Sequence, residues 1–301
     1  MKPRWSVAVI GDINIDYITT ISLDGLDVGK SDLVVTTPID HALGGTAGNF
    51  AKAAINYFQE VNVLSKLGND AIAYLLREDL KSLGVICHLR TDPMRPSRVV
   101  LVFNTINADG SRHRIMLADA DTANFNITGE DIAEWTEILQ RIDAIIVDAY
   151  SYLSEPRRSA CYSAMQISRD ANAVTVLDLV PHDCYKLISI ESLCDYLASA
   201  KLIISETDTL CHFLQLPLGA QVSANEILNT LLPRLTTAFG EKTWFLRYGE
   251  GNINESLICI PGHEPIHTHT GYTMANEKTG FGDYLTARQL RWYLDTVVHP
   301  E

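Results

Sequence analysis

The chain has 301 residues, 47% hydrophobic and 20% charged, with 18 Gly and 11 Pro. These values fit one large globular α/β domain with an appendage, or two ordinary domains, and exclude disordered or collagen-like chains. Asp and Glu number 37 against 24 Lys and Arg, a formal charge of −13, which argues against nucleic acid or an anionic membrane as partner. The amino terminus lacks the apolar run and cleavage pattern of a signal peptide. Apolar runs such as Val99 to Phe103 are far shorter than the ~20 residues that span a bilayer. The expectation is a cytoplasmic protein whose six cysteines, none in a C-x-x-C pair, stay reduced. Asn-x-Ser/Thr matches at Asn126 and Asn254 carry no meaning there.

Val7 to Ile10, closed by Gly11 and Asp12, reads as a buried first strand. From Asp16 to Ala42 β-branched and polar residues alternate with Gly25, Gly29 and Pro38, predicting short strands outside the main layer. A β-α rhythm follows: helix Ala47 to Phe58, strand Val61 to Leu64, helix Asp70 to Leu83. It is interrupted between Arg98 and Leu117, where two apolar runs flank Asp109-Gly110, a hairpin signal. Alternation resumes with helix Glu130 to Leu139, strand Ala144 to Val147, a helix from Pro156, strands Val174 to Leu177 and Leu202 to Ile204, helix Ile227 to Phe239 and strand Thr243 to Leu246. The pattern predicts a three-layer α/β/α fold on a mostly parallel sheet. Residues 1–15, 43–97 and 118–301 form this core, and 16–42 and 98–117 a small β lid.

Near the end, Lys278-Thr279-Gly280-Phe281-Gly282-Asp283 runs into an amphipathic helix. A helix amino terminus exposes unpaired N–H groups and partial positive charge, and glycines let an anion approach. Asp283 in the first turn suits proton acceptance from an attacking hydroxyl, and equally suits plain capping of the helix dipole. A second cluster, Leu43-Gly44-Gly45-Thr46-Ala47-Gly48-Asn49, also opens a helix. With Asn14 and Asp16 it supplies the amide, carboxylate and backbone groups that carbohydrate hydroxyls need. There is no G-x-x-x-x-G-K-[ST] loop, and no G-x-G-x-x-G follows the first strand. His263, His267 and His269 lack a matched ligand pair and read as a surface strand rather than a zinc site. Arg112 and Arg114 alternate along the hairpin, where such charges meet an anionic substrate or, more often, simply face solvent or blunt an edge, and they stay unassigned.

The two glycine motifs in this order, the Asn14 to Asp16 opening and the interrupted alternation resemble the ribokinase-like (PfkB) carbohydrate kinase family over most of the chain. The family's late motif, Gly-Ala-Gly-Asp, stands here as Gly280-Phe281-Gly282-Asp283. The resemblance implies that Asp283 is the base and that the amides of Gly280, Phe281 and Gly282 form the anion hole. It further implies that Asn14, Asp16, Gly44, Gly45 and Asn49 bind a sugar-like substrate beneath the lid. ATP with Mg²⁺ is the implied donor, with Ser205, Asp208, Gly249 and Gly251 at the nucleotide and Asp208 near the metal. Pairing of two copies through the lids is the implied assembly.

Some positions depart from the family. Its Asn-x-x-Glu motif aligns with Ser205-Glu206-Thr207-Asp208. Glu277-Lys278 replaces the acidic lead-in, so the monovalent-cation site of some members does not carry over, and Phe281 stands where the family has a small residue. Only 18 residues follow Asp283, which leaves the adenine pocket open or differently completed. Two functions fit: an ATP-dependent kinase of a sugar-like hydroxyl, or a non-catalytic relative that senses a sugar or nucleotide.

Overall fold

The computed structural model describes residues 4–22, 37–106, 112–179, 184–217, 222–249, 254–270 and 280–298. A nine-stranded sheet forms its centre. Seven parallel strands are β1 (Ser6–Ile10), β4 (Glu60–Leu67), β5 (Ile86–Thr91), β8 (Ala144–Asp148), β9 (Val174–Leu179), β10 (Leu202–Glu206) and β11 (Thr243–Tyr248), extended antiparallel by β12 (Asn254–Cys259) and β13 (Ile266–Thr270). Their order is β13-β12-β11-β10-β9-β8-β1-β4-β5. A second sheet, ordered β3-β2-β6-β7, joins β2 (Asn14–Ser22), β3 (Asp40–Gly44), β6 (Arg98–Ile106) and β7 (Arg112–Ala118).

Parallel strands need cover on both faces, and the side-chain period of two divides β1 between two cores. Val7 and Val9 point to a layer containing Phe50, Leu76 and Leu290, and Ala8 and Ile10 to one containing Trp135, Met165 and Leu235. The first layer carries helices α1 (Thr46–Ala54), α2 (Ala71–Leu83) and α9 (Phe281–Tyr293). The second carries α3 (Gly129–Leu139), α4 (Arg157–Asp170), α5 (Ile190–Ser199) and α8 (Leu232–Phe239). Short helices α6 (Thr207–Phe213) and α7 (Ala224–Glu226) complete the connections. No described helix is long and apolar enough to cross a membrane.

The three-layer expectation and the extra sheet are therefore present, with local differences. The first helix stops at Ala54, where Tyr57 and Phe58 donate their amides to the Ala54 carbonyl and close the chain into turns. The helix expected from Ile227 to Phe239 contains a π-helical stretch at Ile227–Leu231. Pro233, which cannot donate a backbone hydrogen bond, enters the helix just beyond it and explains the irregularity. The small sheet takes in Asn14 and reaches Gly44. Asp109-Gly110, Glu277-Lys278 and Gly251 lie outside the described residues.

Candidate active site

The site forms where the carboxyl ends of the central strands meet the small sheet and the start of α9, the usual place for ligands in such sheets. One cavity of about 690 Å³ is lined by Asn14, Asp16, Gly45, Asn49, Gly280 and Asp283, among others. Their sequence separation is bridged by local geometry. Asn14 opposes Gly44 in the β2–β3 pairing, and Asn14 Nδ2 donates to Asp16 Oδ1. At Gly44 any side chain would meet the Asp16 carboxylate, since an added Cβ collides with its Oδ2. The Ala47 amide donates to the Asp12 carbonyl at 3.0 Å, fixing the start of α1 beneath the end of β1.

Across the cavity, Gly280 caps α9 in the left-handed region at φ 96°. A Cβ there would lie 3.1 Å from Asn49 Cγ, so the absence of a side chain lets α9 close against α1. Asp283 stands in the first turn and is partly buried. Among the described residues no ion pair or hydrogen bond holds its carboxyl. Its pKa is raised well above the usual carboxylate range, chiefly by desolvation and then by Asp178 and Asp148, against Arg247 and Lys52. Asp16 is likewise raised by burial, opposed by Asn14, Lys52, Arg114 and Arg98. Lys52, whose Nζ donates to the Leu43 carbonyl at 2.6 Å, is lowered by burial.

The nucleotide-side candidates lie differently. Ser205 Oγ donates to the Glu206 carbonyl at 2.9 Å, and Asp208 Oδ1 accepts from the neighbouring Thr209 amide at 2.7 Å. Neither residue lines the cavity, nor does Gly249, which turns the chain after β11. On this side the cavity wall is instead Asp178, Glu206 and Arg247. The sequence motifs give none of these three an individual role, although Arg247, a charge inside the otherwise apolar run Trp244 to Tyr248, is a signal, because buried charges need a reason. Arg114, itself exposed, and the half-buried Arg98 also line the cavity. His267 lies on β13 with its Nε2 at 2.6 Å from the Tyr248 hydroxyl and 3.2 Å from Glu255.

The arrangement suits an anionic ligand with a polar one. Positive helix-terminal amides and Arg247 face one part of the cavity, hydrogen-bonding carboxylate and amide groups another. A triphosphate tail fits the first on charge. Among the described residues no group of three His, Cys, Asp or Glu side chains is arranged to hold a metal. Mg²⁺ bound with a nucleotide takes much of its coordination from phosphate and water, so the acidic wall remains compatible with it.

Comparison with known proteins assigns this architecture. The model of the pfkB family carbohydrate kinases matches residues 5–239, and the chain belongs to that family. A fructokinase of Solanum tuberosum is 25% identical over 173 residues, 57% of this chain and 50% of its own. The match thus spans about half the length of that curated relative. Among solved structures, adenosine kinase from Sinorhizobium meliloti superposes with a TM-score of 0.73 at 17% identity, covering 96% of this chain and 87% of that one. An uncharacterized sugar kinase from Pyrococcus horikoshii in complex with ATP gives 0.68 at 17% identity, covering 94% and 83%.

Proposed function

We propose that this protein is an ATP-dependent phosphotransferase acting on a hydroxyl of a sugar or sugar-like small molecule, in the cytoplasm where ATP is supplied. The reading rests on one observation above all: the Asp283 carboxyl shares a cavity with the α9 amino terminus on one side and with Asn14 and Asp16 on the other. Asn14, Asp16 and Asn49 hold acceptor hydroxyls, with the small sheet as a lid that excludes water. Asp283 takes the proton of the reacting hydroxyl as its oxygen bonds to the γ-phosphorus. The bond from that phosphorus to the bridging oxygen breaks, and the electron pair leaves with ADP. Amides of Gly280, Phe281 and Gly282 receive the charge spreading over the transferred group. Mg²⁺, when bound with the nucleotide, supplies further charge neutralisation, and on β10 the chain offers Glu206 toward it in place of Asp208.

The small sheet also supplies a partner surface. Leu101 pairs with Leu117 and Phe103 with Ile115, so these side chains share the face opposite the cavity-lining Val100 and Met116. Leu101, Ile115 and Leu117 are exposed. We propose that a second copy covers this apolar face.

The deciding test is ADP release over a panel of sugars, nucleosides and sugar phosphates, run beside Asp283→Asn. Turnover that the substitution abolishes supports the kinase. Absence of turnover with every acceptor, while a sugar or nucleotide still raises the melting temperature, would make the protein a binding sensor instead.

A further inference from the structure

The side chain of Arg247 is buried, at 7% exposure, yet its hydrogen bonds lie on one edge only. Nη2 donates to Thr286 Oγ1 at 2.7 Å and reaches Gln289 Oε1 at 3.5 Å. Thr286 in turn donates to Asp178 Oδ2, so the hydroxyl stands between the guanidinium and the carboxylate. Nε is buried with no hydrogen-bond partner. Nη1 is turned toward the α9 amino terminus, within 3.4 Å of where a Cβ on Gly282 would lie. The residue also lines the cavity that holds Asp283.

A buried guanidinium with an unmatched N–H is costly, and the cost is relieved by an anion. The neighbouring Asp178 does not meet this need. It is reached through Thr286, and its own pKa stays raised by burial despite Arg247. The α9 amides offer an anion only partial charge. Arg247 adds a full, permanent one at the same place, with a planar fork suited to phosphate oxygens.

Resting on the kinase reading, we propose that Arg247 is the fixed cation of the anion hole, its guanidinium contacting the phosphoryl group as it passes from ATP to the acceptor. Arg247 thus acts on the donor side and leaves acceptor recognition to β2 and α1.

Calorimetric titration of the full chain with inorganic tripolyphosphate tests this without knowledge of the acceptor. Arg247→Gln should weaken tripolyphosphate binding on the order of 10- to 100-fold, while Arg247→Lys, which keeps the charge and loses the fork, falls between that variant and the parent. Adenosine affinity should not change in either variant. Unaltered tripolyphosphate binding in Arg247→Gln overturns the assignment and leaves the kinase reading intact. A parent protein that binds neither tripolyphosphate nor ATP overturns both. Should Arg247→Gln fail to fold, the parent protein crystallised with vanadate decides: an anion on the guanidinium supports the assignment, and one seated on the α9 amides away from Arg247 overturns it.

Discussion

Asp12, just beyond the end of central strand β1, and Arg98, the first residue of small-sheet strand β6, form an ion pair that ties the two sheets together beside the cavity. Asp12 also pairs with Arg157, whose side chain is wholly buried, and accepts from Asn124 Nδ2 at 3.1 Å. Both guanidiniums lie over the Phe125 ring, at 4.9 Å for Arg98 and 4.2 Å for Arg157. Removing the shared carboxylate charge leaves two cations facing each other, one with no access to water. Asp12→Asn should therefore cost about 3–5 kcal/mol of stability, read as a fall in the denaturant midpoint. Arg98→Met should cost less, since Asp12 keeps Arg157 and the Arg98 side chain is 15% exposed. Equal losses in the two variants would show that Arg157 does not depend on this carboxylate.

Gly44 offers a way to disturb the acceptor side alone. A methyl group there collides with the Asp16 carboxylate, and the collision is relieved only by moving that side chain out of its pairing with Asn14. Gly44→Ala should raise the acceptor KM by about tenfold or more, the scale of one lost charged hydrogen bond, while the KM for ATP stays near that of the parent. A rise in both constants together would mean that the substitution disturbs the whole cavity.

The apolar face of the small sheet makes a separate prediction about assembly. Leu101 and Leu117 stand opposite each other on β6 and β7 with 39% and 56% of their surface exposed. If a second copy covers them, Leu117→Lys places a charge in the centre of the contact. Sedimentation should then show the parent as a dimer and the variant as a monomer, both with the same melting behaviour at low concentration. A monomeric parent removes the proposal.

Local features were legible in the sequence and long-range meetings were not. Val7 to Ile10 announces a buried strand because four consecutive apolar residues can be satisfied in few other ways, and Gly280-Phe281-Gly282-Asp283 announces a helix start because glycines and an early acid suit one. Arg247 and Asp178 are marked locally only as charges within apolar strands, which does not say what they meet. They face the same cavity because β9, β11 and α9 converge, and Thr286 and Asp178, which hydrogen-bond, are 108 residues apart. Ser205 and Asp208 illustrate the opposite case. A strand-to-helix junction orients successive side chains differently, so an aligned motif does not settle which of its residues reaches the cavity, and here Glu206 does.

Asp283 links activity, stability and pH. Its carboxyl binds a proton more tightly in the folded protein than in the unfolded chain, because burial and the charges of Asp178 and Asp148 outweigh Arg247 and Lys52. The contribution of such a group to folding is fully present below its unfolded pKa and is lost as pH rises through the raised folded value. Once ionised, the carboxylate is thus a burden on the fold and at the same time the form that accepts the substrate proton. Activity should therefore fall with acidification at a pH above the usual carboxylate range. Asp283→Asn should lose on the order of 10²- to 10⁴-fold in kcat yet melt higher than the parent at pH 8, on a scale of ~2–4 °C per kcal/mol relieved. That gain should shrink as the pH is lowered through the titration of the parent's carboxyl. Melting curves of both proteins from pH 4 to pH 9 check the sign. A variant that is less stable than the parent at pH 8 would mean that the ionised carboxylate is held by partners and is not poised as a base.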